Sequence, residues 1–161
     1  MEHNMLCAMK SVRNGRGTTL MALLALLTLT TGCARTMVDV MKAREEGKGT
    51  TNVYMIKADQ AWEIAKVVFR WEGSDAIEEH RDQNYMLTSS GPGAFTTGTV
   101  MGAWIEPIDQ NQTKVTVITM RRSPTQYVTT LTETTFHKRF AQAVEMVQAG
   151  KPLSPLKKPE D

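Results

Sequence analysis

Glu78, His80 and Asp82 stand two residues apart and carry side chains that can bind a metal or move a proton. On a β-strand, positions i, i+2 and i+4 point to one face. Two carboxylates and an imidazole there would form a donor set for a divalent cation. Asp82, however, opens the turn-like stretch Asp82-Gln83-Asn84, which takes it off the strand. The plainer reading prevails: an edge strand whose charges discourage aggregation. A second polar group, His137-Lys138-Arg139, follows Phe136. A general base there needs a partner, and the chain offers no Ser/His/Asp set in an identifiable motif. Exposed helix surface is the expected setting. Gly91-Pro92-Gly93 lacks the lysine and following helix of a phosphate-binding loop and is expected to be a turn. Arg121 and Arg122 are expected to end a strand and keep its edge soluble. No catalytic residue, metal ligand or cofactor is assigned.

The two cysteines, Cys7 and Cys33, form no CxxC or zinc-type spacing. Cys33 instead closes a processing signal. Residues 20–29 read LMALLALLTL, with Lys10, Arg13 and Arg16 upstream and Thr30, Thr31 and Gly32 downstream. The run is too short to cross a bilayer, which takes about 20 apolar residues. A buried helix would be amphipathic, whereas this run is apolar all round. A basic start, a short apolar centre and small residues at the end describe a secretory signal peptide.

Leu29-Thr30-Thr31-Gly32-Cys33 resembles the lipobox of bacterial lipoproteins, with Thr30 standing where that family usually has leucine. The resemblance implies cleavage between Gly32 and Cys33, a diacylglyceryl group on the Cys33 thiol, and acylation of the new amino terminus. It also implies delivery to the outer membrane, facing the periplasm, because Ala34 rather than aspartate follows the cysteine. Reading from Met9 puts a lysine second, as such signals have it, whereas residues 1–8 contain an acid and no base. Met9 is therefore the expected initiator.

Removal of residues 1–32 takes away three bases and one acid and leaves the mature chain with balanced charge. Nothing in that balance favours nucleic acid as a partner. With Cys33 lipidated, no thiol pair remains, so the domain must be held by its core. Its size suits one domain with tails. Residues 33–50 read as a lipidated tether with a short helix, capped by Thr36 with Asp39 and stopped by Gly47. Residues 51–150 read as the folded domain, and 151–161, rich in proline and charge, as a disordered tail.

Within the domain, residues 52–57 read as a first strand. Asp59 is the expected cap of a helix over 60–72, with Ala61, Ile64, Ala65 and Val68 as its apolar stripe. Strands follow at 76–81, 85–90, 97–105 and 114–122, separated by turn residues. A last helix is expected to start from a Thr130/Glu133 capping box and bury Phe136, Phe140, Ala143, Val144 and Val147, with Gly150 as its stop. The order β-α-β-β-β-β-α defines an α+β fold: an antiparallel sheet of four to five strands with two helices on one face. By topology it is similar to the small α/β domains of periplasmic lipoproteins and to the helix-grip domains of an outer-membrane assembly lipoprotein.

Both faces of the two best strands are apolar. Val115 and Val117 are expected to face the helices. Ile118 and Met120, with Met101 and Ile105, are expected to face outward as a partner surface, unless Met37 and Met41 of the tether helix cover them. The expected function is that of a lipid-anchored cell-envelope lipoprotein that binds or scaffolds and is not an enzyme. Its partners would be the membrane, through Cys33, and an envelope protein. The alternatives are a periplasmic binder of a hydrophobic ligand between sheet and helix, or a metal-dependent enzyme using Glu78 and His80.

Overall fold

The computed structural model describes residues 34–91, 97–123 and 132–156. Residues 1–33, and with them Gly32 and Cys33, lie outside the described residues. The chain from Ala34 onward forms one compact unit. Helix α1 (Met37–Glu45) leads into strand β1 (Thr50–Tyr54) and helix α2 (Ala58–Trp71). Four strands follow as a meander: β2 (Ser74–His80), β3 (Tyr85–Ser90), β4 (Thr99–Pro107) and β5 (Thr113–Arg121). Helix α3 (Glu133–Gln148) comes last. The fold is α+β, and its five strands run in the order β1-β5-β4-β3-β2, with every neighbouring pair antiparallel.

Alternation along the strands divides the apolar residues between two cores. Residues directly opposite on antiparallel strands share a face. Ile105 lies opposite Val115, and Ala103 opposite Val117. With Met86 and Met101 they meet Ile64, Val68 and Phe69 of α2 and Phe136 and Phe140 of α3. On the other face Val100, Trp104 and Ile118 join Tyr85 and Leu87 beneath Val40 and Ala43 of α1. Two helices thus cover one face, as expected, and the supposed tether helix covers the other. It belongs to the fold, so the domain does not start at residue 51.

Alone, α1 would be marginal, because isolated helices below about 12–15 residues barely hold together in water. Its start is fixed by Asp39, whose carboxylate accepts the Thr36 N–H at 2.7 Å. Burying a valine such as Val40 adds about 1.5–3 kcal/mol. Gly102 makes the approach possible: a Cβ there would meet Val40 Cγ1 and the Trp104 ring at 2.9 Å each.

Two expected caps lie elsewhere. Lys57 is the N-cap of α2, and Asp59 falls in its first turn, where a carboxylate suits the helix dipole. Thr132 caps α3, its hydroxyl accepting from the Thr135 N–H at 3.1 Å; Thr130 lies outside the described residues. Strand β1 starts and ends earlier than its apolar residues suggested, because its register is set by pairing Thr50 with Val117 and Tyr54 with Thr113.

At the C-terminal end of α3, the Lys151 N–H bonds Met146 O at 2.8 Å and the Gly150 N–H bonds Val147 O at 3.0 Å. With Gly150 at φ +69°, this is a Schellman stop. The chain beyond it is not the free tail its composition suggested. Leu153 packs on the main core, and the Trp71 indole N–H donates to Ser154 O at 2.8 Å. Residues 157–161 lie outside the described residues. No described helix is long and apolar enough to cross a membrane.

Candidate functional site

The edge strand β2 sends its charges to two faces. Glu78 and His80 lie on the α1 side, where His80 Nε2 stands 2.7 Å from Glu78 Oε1 and the imidazole stacks on Tyr85 at 4.5 Å. Asp82 does not join them, because it belongs to the 3-10 turn Arg81–Gln83. Among the described residues no group of three or more His, Cys, Asp or Glu side chains is placed to hold a metal ion. Glu79 points the other way, to α2. It accepts from the Trp62 indole at 2.6 Å and lies 3.3 Å from Lys66. The indole hydrogen bond is the main reason its carboxyl titrates below the ordinary glutamate range. Arg81 lies over the Trp62 ring at 4.7 Å. Strand β2 is therefore fastened to α2 through Glu79.

The expected partner surface is not a surface. Met101 and Ile105 lie in the main core, Ile118 in the second core, and Met120 packs against the second core from its margin. The register causes this: Met101 is opposite Thr119, while Ile118 is opposite Gly102 and Met120 opposite Val100. Met101 and Ile105 therefore share a face with Val115 and Val117. The cover over Ile118 is α1, with Met37 and Met41 beside it.

His137 and Arg139 are also not on exposed helix surface; they are 5% and 3% exposed, and only Lys138 between them faces solvent. His137 Nε2 lies 3.0 Å from the Thr50 carbonyl, which can only accept, so Nε2 carries the proton. Nδ1 then accepts from the Tyr54 hydroxyl at 2.9 Å. Burial pushes the imidazole pKa down and the Tyr54 phenol up, so the neutral pair persists at neutral pH. It clamps α3 to the edge strand β1. Arg139 Nε and Glu72 Oε1 lie 3.9 Å apart and are both buried. The apolar stripe of α3 is wide enough to enclose these polar neighbours. The only hint in the sequence is that both lie one position from a core phenylalanine.

Near the start of the described residues the backbone is tied to the sheet. The Arg35 N–H donates to Arg122 O at 2.8 Å, and the Arg122 N–H donates to Gly98 O at 3.1 Å. The backbone at Arg35 is thus fixed to the end of β5. Beside it, between α1 and β5, runs an open groove of about 460 Å³ lined by Arg35, Lys42, Lys48, Glu133 and others. Glu133 stands in for a strand neighbour just before β1 begins. It accepts from the Thr119 N–H at 3.2 Å and from the Thr50 hydroxyl at 2.6 Å. At the opposite end of the sheet, Val53, Met55 and Ile108 are 53%, 63% and 53% exposed.

Comparison with protein-family models, with curated proteins and with solved structures yields no match to this chain.

Proposed function

We propose that this chain is a lipid-anchored lipoprotein of the bacterial cell envelope, held in the outer membrane facing the periplasm, which binds or scaffolds an envelope protein and does no catalysis. The observation that carries the reading is the junction at Cys33. A signal-like apolar run ends at Leu29-Thr30-Thr31-Gly32-Cys33, and the folded unit begins at the very next residue, Ala34. A lipid on Cys33 would then hold a structured domain directly, with no long linker. Two acyl chains suffice for stable attachment.

A domain fixed in this way presents its far end to the periplasm. Val53, Met55 and Ile108 are the exposed apolar side chains there, and exposed apolar side chains favour protein contacts. The test is site-specific photocrosslinking in intact membranes. A crosslinker at Ile108 should give a discrete adduct that Val53→Asp weakens, and one at Lys138 on α3 should give none. Equal adducts from both positions, or none from Ile108, would contradict a partner at this end.

A further inference from the structure

We propose that the sheet end carrying Arg35, Arg121 and Arg122 rests on the membrane and binds anionic phospholipid headgroups, so that the domain stands in one orientation on its anchor. The inference rests on lipid attachment at Cys33 and adds the surface that would meet the lipid.

Chain length gives the first argument. Arg35 follows Cys33 by two residues, and a residue spans at most about 3.6 Å, so roughly 7 Å of chain separates them. The backbone at Arg35 is already fixed by its hydrogen bond to Arg122 O. An acyl chain on Cys33 therefore brings this end of the domain, and no other, to the headgroup layer.

Charge gives the second. Arg121 lies opposite Thr99 in the β4–β5 ladder, and Arg122 bonds Gly98, so both sit at the end where Arg35 enters. All three arginines are exposed. Acids stand here too: Asp39, Glu46 and Glu133 line the same groove as Arg35, Lys42 and Lys48. Asp39 is engaged by the Thr36 N–H and hydroxyl and Glu133 by Thr119 and Thr50, and Arg121 and Arg122 add to the basic side. The opposite end mixes Asp59, Asp82 and Asp109 with Lys57 and Arg81. A guanidinium offers two parallel N–H donors that match phosphate oxygens. Basic side chains held within a Debye length of an anionic surface are drawn to it.

The test reconstitutes the mature full-length protein into vesicles of phosphatidylcholine alone or mixed with phosphatidylglycerol. An environment-sensitive label is placed at Gly91→Cys, where an added Cβ meets nothing within 4 Å, or at exposed Asn111→Cys in the far turn. A quencher on the lipid headgroup reads proximity. The label at 91 should be quenched several-fold more than the label at 111 in mixed vesicles, and this difference should shrink in phosphatidylcholine alone. Arg35→Gln, Arg121→Gln and Arg122→Gln together should shrink it likewise while the protein still floats with the vesicles. Equal quenching at the two positions, or no effect of the anionic lipid on the wild-type difference, overturns the proposal. The lipid comparison uses unaltered arginines and so stands apart from any effect of the variants on folding. An intact mass showing Cys33 without lipid would instead overturn the anchor reading, and this proposal with it.

Discussion

Val40 of α1 lies directly over Gly102 of β4, so close that a Cβ at Gly102 would meet Val40 Cγ1 at 2.9 Å. Neither a β-branched side chain nor the Trp104 ring beside it can move aside easily. Gly102→Ala should therefore destabilise by about 1–3 kcal/mol, the usual range for overpacking. In a Val40→Ala background the same change should cost clearly less, since contacting residues couple. Thermal unfolding of the four proteins checks it. Additive effects would mean that α1 does not rest on Gly102.

The second core makes α1 part of the domain. A fragment of residues 51–150 would expose Tyr85, Leu87, Trp104 and Ile118, which α1 covers. It would also lose Leu153 and the Trp71 hydrogen bond to Ser154. That fragment should unfold at lower temperature than one of residues 34–156 and bind a dye for exposed apolar surface. Equal melting temperatures would show α1 to be a dispensable tether.

His137 gives the stability a pH dependence. Its native pKa is pushed below the unfolded value of about 6.5 by burial. Below pH 6.5 the unfolded chain takes up the proton first, so the unfolded state gains and stability falls with pH. The fall ends once the pH passes the lower native pKa. Denaturant unfolding between pH 7.5 and 5 should show this decline, and His137→Gln should flatten it. An unchanged slope in the variant would assign the decline to other groups.

Phe140 is fully buried, with its ring 4.5 Å from Tyr54 and 5.8 Å from Phe136. Phe140→Ala should cost about 3–5 kcal/mol, a large share of what a domain of this size has. Soluble yield and denaturant midpoint should both fall. A loss below about 1 kcal/mol would mean that the site collapses around the gap.

The elements that could be read from the sequence are those whose signal is local. The stripe of Ala61, Ile64, Ala65 and Val68, the Phe136/Phe140 spacing, the Thr36/Asp39 cap and the Gly150 stop each lie within a few residues of one another. The errors concern what depends on distant partners. Alternation along β4 and β5 was plain, but which phase of one strand matches which phase of the other is set by the pairing of Pro107 with Thr113. That register places Met101 and Ile105 opposite to the face expected. His137 and Arg139 look like surface residues until Thr50, Tyr54 and Glu72 are brought beside them. Leu153 sits in a proline-rich stretch that carries no helical or strand period. Its burial depends on the groove that Ile64 and Val147 form with it.

Anchoring through Cys33 is tested most directly by the intact mass of the mature protein purified from membranes. The expected mass is that of residues 33–161 plus a diacylglyceryl group and one further acyl chain. Cys33→Ala should abolish this species and either release the protein from the membrane or leave it as the uncut precursor. A mature chain that begins elsewhere, or begins at an unmodified Cys33 and still sediments with the membrane, would contradict the lipoprotein reading.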